Sequence, residues 1–97
     1  MMKVIITEQA ASDLVTIGEY LMQHSPGATM RLMKTFRKKF NLLATFPMLG
    51  RARDDVLLGA RCLVVKEYLI FYQPGDSIVE ILRVRHSAQE QQDLFKV

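Results

Sequence analysis

The sequence predicts an α+β domain: an N-terminal strand, an α-helical hairpin, then a three-stranded antiparallel β-meander, all forming one sheet with the helices packed on one face. Three observations predict it. A β-branched run, Val4-Ile5-Ile6, opens the chain. Two stretches with apolar residues at helical spacing follow it. Beyond the break at Pro47 and Gly50, short β-branched and aromatic runs alternate with turn residues. A chain of 97 residues supports one core, so a single domain is expected over residues 1–97.

In order, Val4-Ile5-Ile6 reads as a buried strand, and Thr7 is placed to cap a helix whose first turn carries Glu8. Ala10, Leu14, Ile17 and Leu21 recur along one face of that helix, which is expected to reach about His24. Ser25-Pro26 marks a new start, with serine as N-cap and proline at the first helical position. Ala28, Leu32, Phe36, Phe40 and Leu43 form the apolar stripe of the second helix. So short a junction makes the pair an antiparallel hairpin. Pro47 and Gly50 end it, and an irregular basic segment runs to about Gly59. Arg61 to Val65 and Tyr68 to Tyr72 read as strands around a Lys66-Glu67 turn, although that dipeptide lacks the glycine or asparagine such turns prefer. Pro74-Gly75-Asp76 is a stronger turn signal. Ile78 to about Val84 is the last strand, and Ala88 to Phe95 reads as a short terminal helix or tail.

Net charge is +3, but its distribution says more than the total. From Arg31 to Arg61 the cations outnumber Asp54 and Asp55 heavily, which suits an acidic partner, whether nucleic acid or protein. A solvated helix face followed by a soluble loop gives the same pattern. Cys62 is the only cysteine; within Leu63-Val64-Val65 it reads as a buried structural thiol, and no disulfide is possible within the chain. His24 and His86 lack metal-ligand spacing, so neither metal nor cofactor is expected. No apolar run approaches membrane-spanning length, and a soluble cytoplasmic protein is expected.

The ordered motifs are more specific than the composition. They are Ala11-x-Asp13-Leu14-x-x-Ile17-x-x-Tyr20, the Ser25-Pro26 junction, Phe46-Pro47-x-x-Gly50-Arg51, Gly59-x-Arg61, Tyr68-x-Ile70-x-Tyr72, and Ile81-x-Arg83-Val84-x-His86. Together, over nearly the whole chain, they resemble the ParE/RelE toxin superfamily of bacterial toxin–antitoxin modules. Each residue also has a structural reading. Gly50 suits a backbone position that a side chain would oppose. Asp13 and Tyr20 can simply decorate a helix, and Tyr68 and Tyr72 can be core or rim residues of a strand. Arg61 and Arg83 can form cross-strand ion pairs with Glu80 or Glu67, and His86 can stabilise a strand end by hydrogen bonding.

The resemblance implies two different activities. RelE-like relatives are ribosome-dependent endonucleases that cut messenger RNA, whereas ParE-like relatives poison DNA gyrase through protein contacts. Cleavage through the 2′-hydroxyl needs a base, an acid and cations for the phosphate charge. Arg61, Arg83 and His86 are the set this chain offers for a nuclease, with His86 alone suited to move protons. An ideal strand separates them, since residues 83 and 85 share a face and residue 86 takes the other, unless a bulge intervenes. The chain also has Arg51 and Arg53 where nucleases of the group commonly carry lysines, and no tyrosine after Tyr72. The gyrase-binding branch is therefore favoured, with no catalytic residue and with Arg51, Arg53, Arg61, Arg83, Arg85 and His86 as the target-binding set.

The resemblance further implies a cognate antitoxin that carries a DNA-binding domain and lays an extended, partly helical tail on the toxin. Leu14, Ile17, Tyr20 and Leu21 are the expected wall of its groove, though the core accounts equally for the three aliphatic residues. An inert remnant that keeps antitoxin binding but has lost its target is the third alternative.

Overall fold

The computed structural model describes residues 1–89 and Phe95. Most of the expected terminal helix or tail at 88–95 therefore lies outside the described residues. The elements are β1 (Lys3–Ile6), α1 (Glu8–His24), α2 (Pro26–Thr45), β2 (Arg51–Ala52), β3 (Arg61–Val65), β4 (Tyr68–Pro74) and β5 (Ile78–His86). They form one five-stranded sheet in the order β1-β5-β4-β3-β2, with both helices on one face. The meander β3-β4-β5 is antiparallel, while β1 closes the sheet by pairing in parallel with β5 from Lys3↔Ile78 to Ile6↔Ile81. The expected α+β architecture is the one observed, except that β1, read as buried, leaves Ile5 and Ile6 exposed at the sheet edge, and with one addition. Arg51 and Ala52, read as irregular, pair with Cys62 and Arg61 as a two-residue edge strand.

Local chemistry sets the boundaries. Thr7 is the N-cap of α1: its hydroxyl accepts from the Ala10 amide at 3.2 Å and also lies 2.8 Å and 3.1 Å from the Ile81 and Leu82 carbonyls. One side chain thus caps the helix and fixes it to β5, the strand next to β1 in the sheet. Ser25 separates the helices, but it makes no side-chain cap bond to α2. Instead the Thr29 hydroxyl donates to the Ser25 carbonyl at 2.8 Å, while Pro26 supplies the preset first turn. The Lys66-Glu67 turn forms as expected, at the cost of a left-handed Lys66 with φ of 55°.

The core lies between helices and sheet. Phe36, Phe40 and Leu43 of α2 meet Ile70, Tyr72, Val79, Ile81 and Val84 of the strands, with Leu14, Ile17 and Leu21 of α1 packed at the margin. Burial of these side chains is the principal stabilising contribution, each worth roughly 1.5–3 kcal/mol. The opposite face carries a smaller cluster around Cys62 and Phe71, with Val56, Leu69, Leu82 and Phe95 against it.

A register shift in β5 matters most for function. Phe71 pairs with Arg83 but Tyr72 pairs with Ile81, so Leu82 is the extra residue of a bulge. Ile81 and Val84 both reach the helix-side core, whereas strict alternation from Ile81 would have sent Arg83 there. The bulge removes a guanidinium from the core face.

Candidate functional site

The basic loop begins at a turn held with unusual thoroughness. Tyr72 is fully buried, and its hydroxyl donates to the Pro47 carbonyl at 2.7 Å while accepting from the Gly50 amide at 2.7 Å. Arg61 Nε donates to the Gly50 carbonyl at 2.7 Å and its Nη2 to the Met48 carbonyl at 3.2 Å. Gly50 is required by space: a Cβ there would sit 2.7 Å from the Cys62 carbonyl oxygen and 2.8 Å from the Tyr72 ring. Of the alternatives weighed from sequence, Tyr72 is a core residue that also organises a loop. Arg61 bonds the turn carbonyls.

Arg51 and Arg53 leave this turn toward the face away from the helices. Arg51 pairs with Cys62, whose side chain belongs to that face, and is exposed. Arg53 makes a two-pronged ion pair with Asp55, Nε–Oδ1 2.9 Å and Nη2–Oδ2 3.0 Å, and its guanidinium lies 5.6 Å from the centroid of the Phe71 ring. The bond to Asp55 raises the Arg53 pKa despite some desolvation and holds the exposed Asp55 carboxyl below the usual range. Burial pushes the Cys62 thiol up, and the neighbouring Arg53 and Arg51 only partly offset it. Cys62 is thus a buried, protonated thiol rather than a nucleophile.

At the far end of the sheet, β5 outruns β1 and its edge passes along α1. Asp13 takes over where β1 stops: Oδ2 accepts from the Val84 amide at 2.9 Å and from Arg83 Nε at 2.8 Å, and Oδ1 accepts from Arg83 Nη2 at 3.0 Å. The bond to Asp13 raises the Arg83 pKa against its own desolvation. The partner of Arg83 is therefore a helix carboxylate rather than a cross-strand Glu80 or Glu67. The sequence signal for it was the Asp13 of the motif, read there as possible decoration.

His86 pairs with Tyr68, Arg85 with Leu69 and Arg83 with Phe71. Because the bulge precedes Arg83, ordinary alternation resumes and puts His86 on the helix side, opposite Arg83 and Arg85. The His86 ring stands edge-on to Tyr68 with centroids 5.3 Å apart; its Nδ1 accepts from the Ala88 amide at 3.0 Å and its Nε2 lies 3.5 Å from Glu67. Burial, and secondarily the Glu67 charge, raise the Tyr68 pKa, so the phenol stays protonated at neutral pH. An open groove of about 450 Å³ lies here, lined by Ile17 and Tyr20 of α1 and by Tyr68, Val84, Arg85 and His86. Tyr20 is exposed, its ring centroid 4.7 Å from that of His24; Leu14 and Leu21 belong instead to the core margin.

The structure therefore divides the six candidate target-binding residues. Arg51 and Arg53 belong to the face away from the helices, as do the strand positions of Arg83 and Arg85 at the other end, although Arg83 reaches Asp13 of α1 and Arg85 also lines the groove. Arg61 is bound into the turn, and His86 lies in the groove. Among the described residues no group of His, Cys, Asp and Glu could hold a metal ion. No helix among them is long and apolar enough to cross a membrane.

Known proteins share this fold. A solved chain of the "Chromosomal ParDE TA system from P. aeruginosa" superposes with a TM-score of 0.76, covering 89% of this chain and 96% of that one; at 20% identity the likeness is one of fold. Toxin RelE2 of Caulobacter vibrioides is 35% identical over 89 residues, which is 92% of this chain and 99% of that protein. Residues 4–91 match the family described as ParE toxin of type II toxin–antitoxin system, parDE. The chain thus belongs to the ParE toxin family of type II toxin–antitoxin systems.

Proposed function

We propose that this toxin inhibits DNA gyrase by binding it, without breaking a covalent bond in its target. Family membership supplies the toxin role and implies a cognate antitoxin. The observation supporting a binder over a nuclease is the dispersal of the one set able to cleave RNA. Arg61 pairs with Tyr72 and His86 with Tyr68, so the two are separated by four positions of β4, about 13 Å. Arg83 lies on the other face, in an ion pair with Asp13. General acid–base catalysis needs its groups within hydrogen-bond reach of one reacting centre. Binding has no such requirement: exposed Arg51, with Arg85, serves as a recognition cation in this reading, while Arg53 and Arg83 are already paired with Asp55 and Asp13. The groove beside Ile17 and Tyr20 receives the antitoxin tail, whose apolar side chains meet those walls.

Purified toxin added to a gyrase supercoiling assay is expected to inhibit the reaction or trap cleaved DNA at micromolar concentration. Unchanged supercoiling would refute the reading. A RelE-type ribosome-dependent nuclease is the second reading, favoured by the name of the 35%-identical relative, Toxin RelE2. It predicts codon-positioned cuts in ribosome-bound message that His86→Ala largely abolishes. An inert remnant predicts normal growth when the toxin is expressed without antitoxin.

A further inference from the structure

The turn that precedes Arg51 displays apolar side chains to water. Phe46, Met48 and Leu49 are 56%, 66% and 50% exposed, three of four consecutive positions. An exposed apolar loop ordinarily relaxes to hide such groups, yet here the backbone is fixed. Tyr72 bonds the Pro47 carbonyl and the Gly50 amide, Arg61 bonds the Met48 and Gly50 carbonyls, and the Leu49 amide donates to the Phe46 carbonyl at 3.1 Å. A buried tyrosine and an arginine side chain are thus committed to holding one four-residue protrusion. Rigid display of large apolar groups lowers the ordering cost of association and is the usual form of an interface anchor.

We propose that the Phe46–Leu49 turn is the anchor by which this toxin docks on its protein target, entering an apolar cleft bordered by acidic side chains. The inference rests on the gyrase-binding reading above and names the part of the toxin that makes the contact. Charge identifies the partner's chemistry. Between Glu19 and Asp54 the chain has no carboxylate side chain; exposed Lys34, Arg37 and Lys38 of α2 lead toward the turn and exposed Arg51 leaves it, so cations outnumber Asp76, the one described carboxylate that shares a pocket with Pro47. An acidic rim complements that surface. Shape separates this partner from the antitoxin: a wrapping tail suits the concave groove at Tyr20 and Tyr68, whereas a convex, fixed knob suits a cleft in a folded enzyme. Duplex DNA is less suited, because the turn itself carries no cation and Arg61 is already bound to its carbonyls.

The test compares wild type with Phe46→Ser, Met48→Ser and Met48→Glu in three measurements. These are inhibition of purified gyrase, affinity for the cognate antitoxin, and binding to a short DNA duplex without gyrase. The side chains are exposed, so thermal melting curves should overlay that of wild type. Each serine variant is expected to raise the half-inhibitory concentration roughly tenfold, and Met48→Glu further, with antitoxin and duplex binding unchanged. Full inhibition by the variants would overturn the anchor while leaving the gyrase reading standing. A wild type that fails to inhibit overturns both. Loss that tracks antitoxin affinity, or duplex binding, assigns the turn to that partner and overturns the proposal.

Discussion

Arg61 and Arg51 stand on paired strands at one corner of the sheet, in adjacent registers, and do opposite things. Arg61 is half-buried and spends two guanidinium nitrogens on the carbonyls of Gly50 and Met48, whereas Arg51 is exposed beside the buried Cys62. The same contrast holds between the two ends of the sheet. At the Tyr72 end, every polar atom of the turn that the tyrosine reaches is bonded, and the result is a fixed protrusion. At the Tyr68 end the strand edge is satisfied by Asp13, and a groove remains beside it. The lesson is that a side chain's chemistry becomes recognition only where the fold has left it unspent.

The comparison can be broken most forcefully at Asp13. Replacing it by alanine strips the acceptor from Arg83 and from the Val84 amide together, at a site where both ionic side chains are largely buried. Asp13→Ala is expected to destabilise the fold by about 3 kcal/mol in urea denaturation. Arg83→Met in the same background should recover part of that loss, since the unpaired charge is gone. A recovery of zero would mean the ion pair contributes nothing beyond its amide bond.

Tyr72→Phe is the next largest change. It leaves packing intact but orphans the Pro47 carbonyl and Gly50 amide, with an expected loss of about 2 kcal/mol. Hydrogen exchange at the Gly50 amide should rise by more than the global loss explains. Uniform acceleration across the sheet would instead show that the hydroxyl serves general stability and not the turn.

The smallest effects sharpen the contrast between the two arginines. Arg61→Lys should cost about 1 kcal/mol, because an ammonium cannot reproduce the two-carbonyl grip. Arg51→Ala should leave the melting temperature within error yet weaken target binding. Equal stability losses for the two would remove the distinction drawn between a structural and a recognition arginine.

Most of the fold was legible from pattern. Helical spacing in Ala10, Leu14, Ile17 and Leu21, the Ser25-Pro26 break and the Phe36–Phe40 stripe gave both helices, the first to its observed end at His24. Turn chemistry gave the meander, including a Lys66-Glu67 turn made from residues that do not favour it. The site was only half legible. Its residue types were visible, and Asp13 stood in the motif as a single helix carboxylate. Which arginine it would neutralise, and that Tyr72 would clamp the turn twenty-odd residues earlier, was not visible.

By itself the sequence determined the family, the order of every element except β2 and the excess of cations in the middle of the chain, because these follow from local periodicity and ordered motifs. Only the tertiary structure decided which cations remain available. The bulge at Leu82 turns Arg83 away from the core, the parallel strand β1 stops short so that Asp13 must finish the edge, and the turn at Gly50 consumes Arg61. Each is a matter of long-range hydrogen-bond satisfaction between segments distant in the chain, which no local pattern encodes.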